Sequence, residues 1–128
     1  MNEAAMYDKE NIFAKIIRKE ILSKIVYEDD DVIAFHDVAP AAPVHILVLP
    51  KGEYLSFDDF SVVADPEIVG DFFAKVRNIA SDLGVDKTGY RVIMNHGSDA
   101  SQTVPHFHVH ILGGNKLGGL LASDVLER

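Results

Sequence analysis

The chain has 128 residues, 48% of them hydrophobic, enough for one domain around one core and not for two. It contains no cysteine, which excludes disulfides, thiolate metal sites and a cysteine nucleophile. Its net charge is −8 and its basic residues are scattered rather than striped, which argues against a groove for a DNA or RNA polymer while leaving room for local groups to hold one nucleotide phosphate.

No apolar run approaches the ~20 residues of a membrane span, and Met1 to Lys19 lacks the apolar core of a signal peptide. A cytoplasmic protein without membrane partners is expected. Residues 1–10 are polar and aperiodic, and read as a flexible tail. Asn11 then caps a two-turn helix over residues 12–19, with Ile12, Ile16 and Lys19 on one face. Lys24 to Asp29 and Val32 to Asp37 are β-branched and aromatic runs joined by Asp29-Asp30-Asp31, which predicts a hairpin with a solvated acidic turn. The prolines of residues 38–43 make a loop, and His45 to Leu49 is apolar enough for a central strand.

Ser56 to Ala64 allows a short helix. Asp65-Pro66 is a clearer helix start, followed by the stripe Ile68, Val69, Phe72, Phe73, Val76, Ile79, Ala80 and Leu83, with Gly84 placed as a C-cap. Gly89 to Asn95 reads as a strand, and the polar loop 97–103 leads into Val104-Pro105-His106-Phe107-His108-Val109-His110-Ile111-Leu112-Gly113-Gly114. Residues 115–128 form a C-terminal tail with no assigned structure. About five strands joined by hairpin-sized links, with one long and one short helix, predict an α+β domain with an antiparallel sheet over residues 11–114.

In the last strand, His106, His108 and His110 recur with the period of two of a β-strand, so all three imidazoles share one face while Phe107, Val109 and Ile111 bury the other. A plain half-exposed strand would explain one such histidine more readily than three in register. A zinc site is a second reading, but the outer pair lies about 13 Å apart on an extended strand at ~3.3 Å per residue, so one ion cannot comfortably bind all three. Two of them with a partner from elsewhere remain open. The third reading is catalysis, with the central imidazole as a nucleophile suited to a phosphorus centre.

The pattern His-φ-His-φ-His-φ-φ, with φ apolar, resembles the signature of the histidine triad (HIT) superfamily of nucleotide hydrolases and transferases, and residues 106–112 match it throughout. Residues 12–21, Ala34-Phe35-His36-Asp37-Val38, Ala42-Pro43-Val44-His45 and residues 89–114 resemble its Hint branch, the nucleoside phosphoramidases. The resemblance implies a five-stranded antiparallel sheet that joins a second copy in a homodimer. It also implies metal- and cofactor-free cleavage of a purine nucleoside monophosphate derivative, such as a phosphoramidate, through a covalent histidine intermediate.

By the same resemblance His108 is the nucleophile, His110 lies beside the α-phosphate, and His106 and His45 support and polarise the site. Asp37 binds the ribose hydroxyls. Asn95 lies on the phosphate side, with amides near Gln102 and Thr103, and Ile16, Phe35, His36 and Val38 form the nucleobase pocket. Thr103 stands where the family usually has serine, its hydroxyl still able to serve the leaving group. His96 stands where an acid is common and is read as a loop residue, and the chain lacks the Trp-Pro ending of eukaryotic Hint proteins. Dinucleoside polyphosphate hydrolysis, nucleotidyl transfer and non-catalytic nucleotide binding are the alternatives.

Overall fold

The computed structural model describes residues 6–121. Helix α1 (Ile12–Ile17) precedes the hairpin β1 (Ile25–Glu28) and β2 (Val32–His36), then β3 (Val44–Pro50). Helices α2 (Phe57–Val63) and α3 (Pro66–Asp82) follow, then β4 (Tyr90–Ile93), a 3-10 turn at Ser98–Ala100, and β5 (Val109–Gly113). The strands form one antiparallel sheet in the order β1-β2-β3-β5-β4. The expected short helix at 56–64 thus forms as α2, a second short helix beside α1.

Strand alternation sorts the core onto two faces. Val32 and Ala34 of β2, Ile46 and Val48 of β3, and Val109 and Ile111 of β5 pack with Phe60, Phe72, Val76 and Ile79 of α2 and α3. The intervening residues Ile33, Phe35, Leu47 and Leu49 pack with Phe13 and Ile16 of α1. The helices cover these faces unequally: 17 residues of α3 lie on one, and only the 6 residues of α1 on the other. The lightly covered face is therefore where the sheet can present polar side chains.

Helix α1 is capped as its sequence predicts, the Asn11 carboxamide oxygen accepting from the Ala14 amide at 2.9 Å. Its buried face differs from the expected one. Phe13, Ala14 and Ile16 face inward while Ile12 is half exposed, and Lys19 lies beyond the helix end. The polar segment before it is also tied down: Asn11 donates to the Asp8 carbonyl, Lys9 pairs with Glu53, and Tyr7 reaches His106. The expected tail is thus structured from Tyr7 to Glu10, and residues 1–5 lie outside the described residues, as do 122–128 of the C-terminal tail.

In the acidic turn, Asp30 and Asp31 are exposed but Asp29 is not merely solvated. It accepts from Lys75 Nζ, the Tyr27 hydroxyl and the amides of Asp31 and Val32. Burial opposes its charge, yet these donors together hold its carboxyl well below the usual range.

Gly114 turns the chain out of β5 with φ at +94°, and a Cβ there would lie 2.9 Å from Pro43 Cβ and 3.3 Å from the Val44 amide nitrogen. Left-handed backbone and a collision with a neighbouring strand end add up, so Gly114→Ala is expected to cost roughly 2–4 kcal/mol. A lowered urea midpoint at unchanged m-value would show it; a wild-type midpoint would contradict it.

Candidate active site

The histidine run was expected to be a strand from residue 104, but the ladder holds only from Val109 to Gly113. Val109 pairs with Val48, and two residues further along β3 stands Pro50, which has no N–H to offer. Its carbonyl instead accepts from His106 Nε2 at 2.8 Å, and the Phe107 amide donates to the Tyr54 carbonyl at 2.8 Å. Alternation nevertheless survives. Phe107 is buried among α2 and α3, stacked on Phe60 at 4.8 Å, and its neighbours turn to the α1 side: His108 meets Phe13 edge-on at 4.9 Å and His106 meets Tyr7 at 5.5 Å. The three histidines share a face, as expected.

His45, in register with Leu112 on the adjacent strand, joins them from β3. The hydrogen bonds assign every ring proton. The Ala41 amide donates to His45 Nδ1 at 3.0 Å, so His45 carries its proton on Nε2 and donates to His110 Nδ1 at 2.9 Å. His110 is left with its own proton on Nε2. His108 donates from Nδ1 to the His106 carbonyl at 2.7 Å, which leaves the lone pair on Nε2. His106 donates from Nε2 to Pro50 and accepts at Nδ1 from the Tyr7 hydroxyl at 2.5 Å.

Burial disfavours the cationic form of each triad histidine. It pushes His106 down to about 4, and His110 also to about 4, where the neighbouring His108 and His45 add to the effect. His108 is lowered too, chiefly by burial, against which the hydrogen bond to the His106 carbonyl works. At neutral pH the cluster therefore presents an unprotonated nitrogen on His108 beside an N–H on His110, the two rings 5.2 Å apart. A nucleophile next to a fixed donor is an arrangement suited to attack on an anionic phosphorus centre.

Asp37 lies one residue past β2, its Oδ1 accepting from the Ala39 amide at 2.8 Å and its Oδ2 3.4 Å from His45 Nε2. Asp37, His45 and His110 bring one donor atom each within 4.8 Å of one another. His45 and His110 are already joined to each other there by the 2.9 Å hydrogen bond from Nε2 to Nδ1. Beside Asp37 opens a cavity of about 650 Å³ lined by Leu22, Ser23, Lys24, His36, Asp37 and Val38.

Not every expected residue lies at this surface. His36 and Val38 line the cavity, whereas Ile16 and Phe35 are buried in the core cluster under α1. Gln102 holds the preceding loop, accepting from the Gly97 amide and donating to the Leu55 and Val104 carbonyls. Thr103 is exposed and lines a separate hollow with His96 and Ser98. Neither it nor the half-buried Asn95 hydrogen bonds to the four histidines. His96 lies 3.5 Å from Asp58, away from the triad contacts.

Sequence reading missed Tyr7, Phe13 as a wall of His108, the Pro50 carbonyl, and the segment Leu22 to Lys24. Tyr7 carried a faint signal as the only aromatic in the first ten residues. The others act by backbone or by proximity across the sheet, which spacing does not encode.

The HIT domain family matches residues 18–117. An uncharacterized HIT-like protein of Rickettsia prowazekii is 52% identical over 119 residues, 93% of this chain and 99% of that one. The purine nucleoside phosphoramidase of Escherichia coli is 44% identical over 114 residues, 89% and 95% of the two chains. A solved structure of a histidine triad protein from Clostridium difficile superposes with a TM-score of 0.81 at 46% identity, covering 91% of this chain and 100% of that one. With all five strands and all four clustered histidines inside the matched span, this chain belongs to the HIT domain family.

Proposed function

We propose that this protein hydrolyses a purine nucleoside 5′-phosphoramidate, or a related adduct at the α-phosphate, by double displacement on His108. One observation carries the reading: His108 gives its Nδ1 proton to the His106 carbonyl and so holds a free lone pair at Nε2, beside the N–H of His110. The name of the Escherichia coli relative supports the choice of substrate class.

In the first step the Nε2 lone pair bonds to phosphorus while the bond from phosphorus to the amine nitrogen breaks, the amine leaving with a proton from water. His110 Nε2–H donates to a non-bridging oxygen, and the relay from Ala41 through His45 keeps that proton on the outward nitrogen. In the second step water attacks phosphorus, the P–Nε2 bond breaks, its electron pair returns to His108, and a proton is released with the nucleoside monophosphate. The residues supply positioning and charge stabilisation themselves, and the proposal needs no metal or cofactor.

The cavity beside Asp37 takes the nucleoside, its carboxylate accepting from ribose hydroxyls and the apolar Val38 and Leu22 flanking the base. Val92 and Met94, exposed along and just beyond the open edge strand β4, are where a second copy would extend the sheet in a homodimer. Among the described residues no helix is long and apolar enough to cross a membrane.

The test is steady-state release of AMP from adenosine 5′-phosphoramidate with a chelator present. Turnover is expected; its absence would overturn the reading, and turnover of dinucleoside polyphosphates instead would replace it. Asp37→Ala is expected to raise KM for this substrate by about tenfold or more while changing kcat less, because the lost contacts are made equally in ground and transition states. A fall in kcat at constant KM would place Asp37 in the chemistry instead.

A further inference from the structure

We propose that Tyr7 is a positioning residue for the nucleophile, acting through His106. The inference rests on His108 being the nucleophile, as proposed above.

His106 is fully buried, so each ring nitrogen needs a partner. Nε2 has the Pro50 carbonyl, and Nδ1 has the Tyr7 hydroxyl. The Tyr7 ring also packs edge-on against the imidazole, with planes 71° apart. Tyr7 is anchored in turn: the adjacent Asp8 carbonyl accepts from the Asn11 amide and side chain, the Lys9 carbonyl accepts from Arg18, and Lys9 pairs with Glu53. The segment before α1 is thus a strap that closes over the first histidine of the triad.

The strap matters because His106 serves His108 with its backbone. The His106 carbonyl accepts the Nδ1 proton of His108, and this bond strengthens as the His108 ring becomes cationic on bonding to phosphorus. It stabilises that charge only if the carbonyl is already in place. The His106 ring is pinned at both nitrogens, one to β3 and one to the strap, so the carbonyl between His106 and Phe107 is pinned with it. Without the Tyr7 hydroxyl, Nδ1 is left unsatisfied in a dry site, and the ring gains a reason to rotate or to exchange tautomers.

Tyr7→Phe removes the hydroxyl and keeps the ring contact. The expected result is a loss of about tenfold in kcat on adenosine 5′-phosphoramidate with KM unchanged, together with a shift of the His106 Nδ1 resonance in 15N NMR toward that of a free acceptor. A substrate-independent probe, acylation of His108 by diethyl pyrocarbonate followed by peptide mass mapping, is expected to slow in parallel. Wild-type kcat and acylation rate in Tyr7→Phe would overturn the inference, and so would a loss of activity that merely tracks a lower melting temperature. Should the wild-type protein release no AMP, the phosphoramidase reading fails on its own. The acylation rate and the NMR shift then still decide the role of Tyr7.

Discussion

Alanine at position 108 is expected to slow AMP release from adenosine 5′-phosphoramidate by at least about 10³-fold, because no other group offers a free nitrogen in the site. Of the remaining clustered histidines, His106 has both nitrogens committed, and so does His45. His110 points an N–H, not a lone pair, out of its relay. A covalent intermediate therefore has one attachment point. His110→Ala removes a donor rather than the bond-forming atom and is expected to cost less, on the order of 10². His108 is only partly buried and packs edge-on against Phe13, so its truncation leaves the main core untouched. Rapid-quench mass spectrometry of wild type and His108→Ala, with near-UV circular dichroism as a folding control, distinguishes the outcomes. Near-normal turnover by His108→Ala, or a nucleotidyl adduct on another residue, would remove His108 from the mechanism.

Acidification is expected to destabilise the fold between pH 6.5 and pH 4, with the loss starting above the range in which carboxylates titrate. His106 has its pKa pushed down to about 4 by burial, against about 6.5 in an unfolded chain. Between those values the unfolded chain binds a proton that the folded chain refuses, so stability rises with pH through the window and is complete above pH 6.5. For His106 alone the loss on going down to pH 4 is about 3 kcal/mol, and His110, pushed to a similar value, acts in the same direction.

Asp29 acts in the same direction over a separate, lower range. Its lowered pKa contributes stability above about pH 3.9, the unfolded value, that is lost only below it. Urea midpoints at pH 7 and pH 4.5 measure the effect. His106→Gln, with an amide N–H for the Pro50 carbonyl and an oxygen for the Tyr7 hydroxyl, should flatten the dependence. Equal pH dependence in wild type and His106→Gln would show that His106 is not the group titrating.

Local patterns that repeat within a few residues were legible from the chain alone. The two-residue period of the histidine run placed its imidazoles on one face even where no ladder forms, because alternation is a property of extended backbone and not of pairing. Runs of β-branched, aromatic and apolar residues marked the other strands, and Asn11 and Asp65-Pro66 marked helix starts, Asn11 through its side-chain cap and Pro66 through its fixed φ at the first helical position. The resemblance to the HIT superfamily rested instead on matching a known motif, residue by residue, over positions 106–112.

Helix α1 shows where such reasoning stops. With only two turns its face was set by what lay beneath it, so Phe13 rather than Ile12 turned inward, onto Phe35 and His108. Tyr7, 99 positions from His106, was read as part of a tail because hydrogen bonds over that separation leave no periodic trace. The premature end of the β5 ladder was decided by Pro50 on another strand, and the cavity beside Asp37 by Leu22 to Lys24 folding back from α1. The residue types able to do the chemistry are thus written in the chain, since an imidazole is an imidazole wherever it lies. Which nitrogen holds the proton is decided only when the Ala41 amide, the His106 and Pro50 carbonyls and the Tyr7 hydroxyl arrive from elsewhere in the fold, because a tautomer is chosen by its partners.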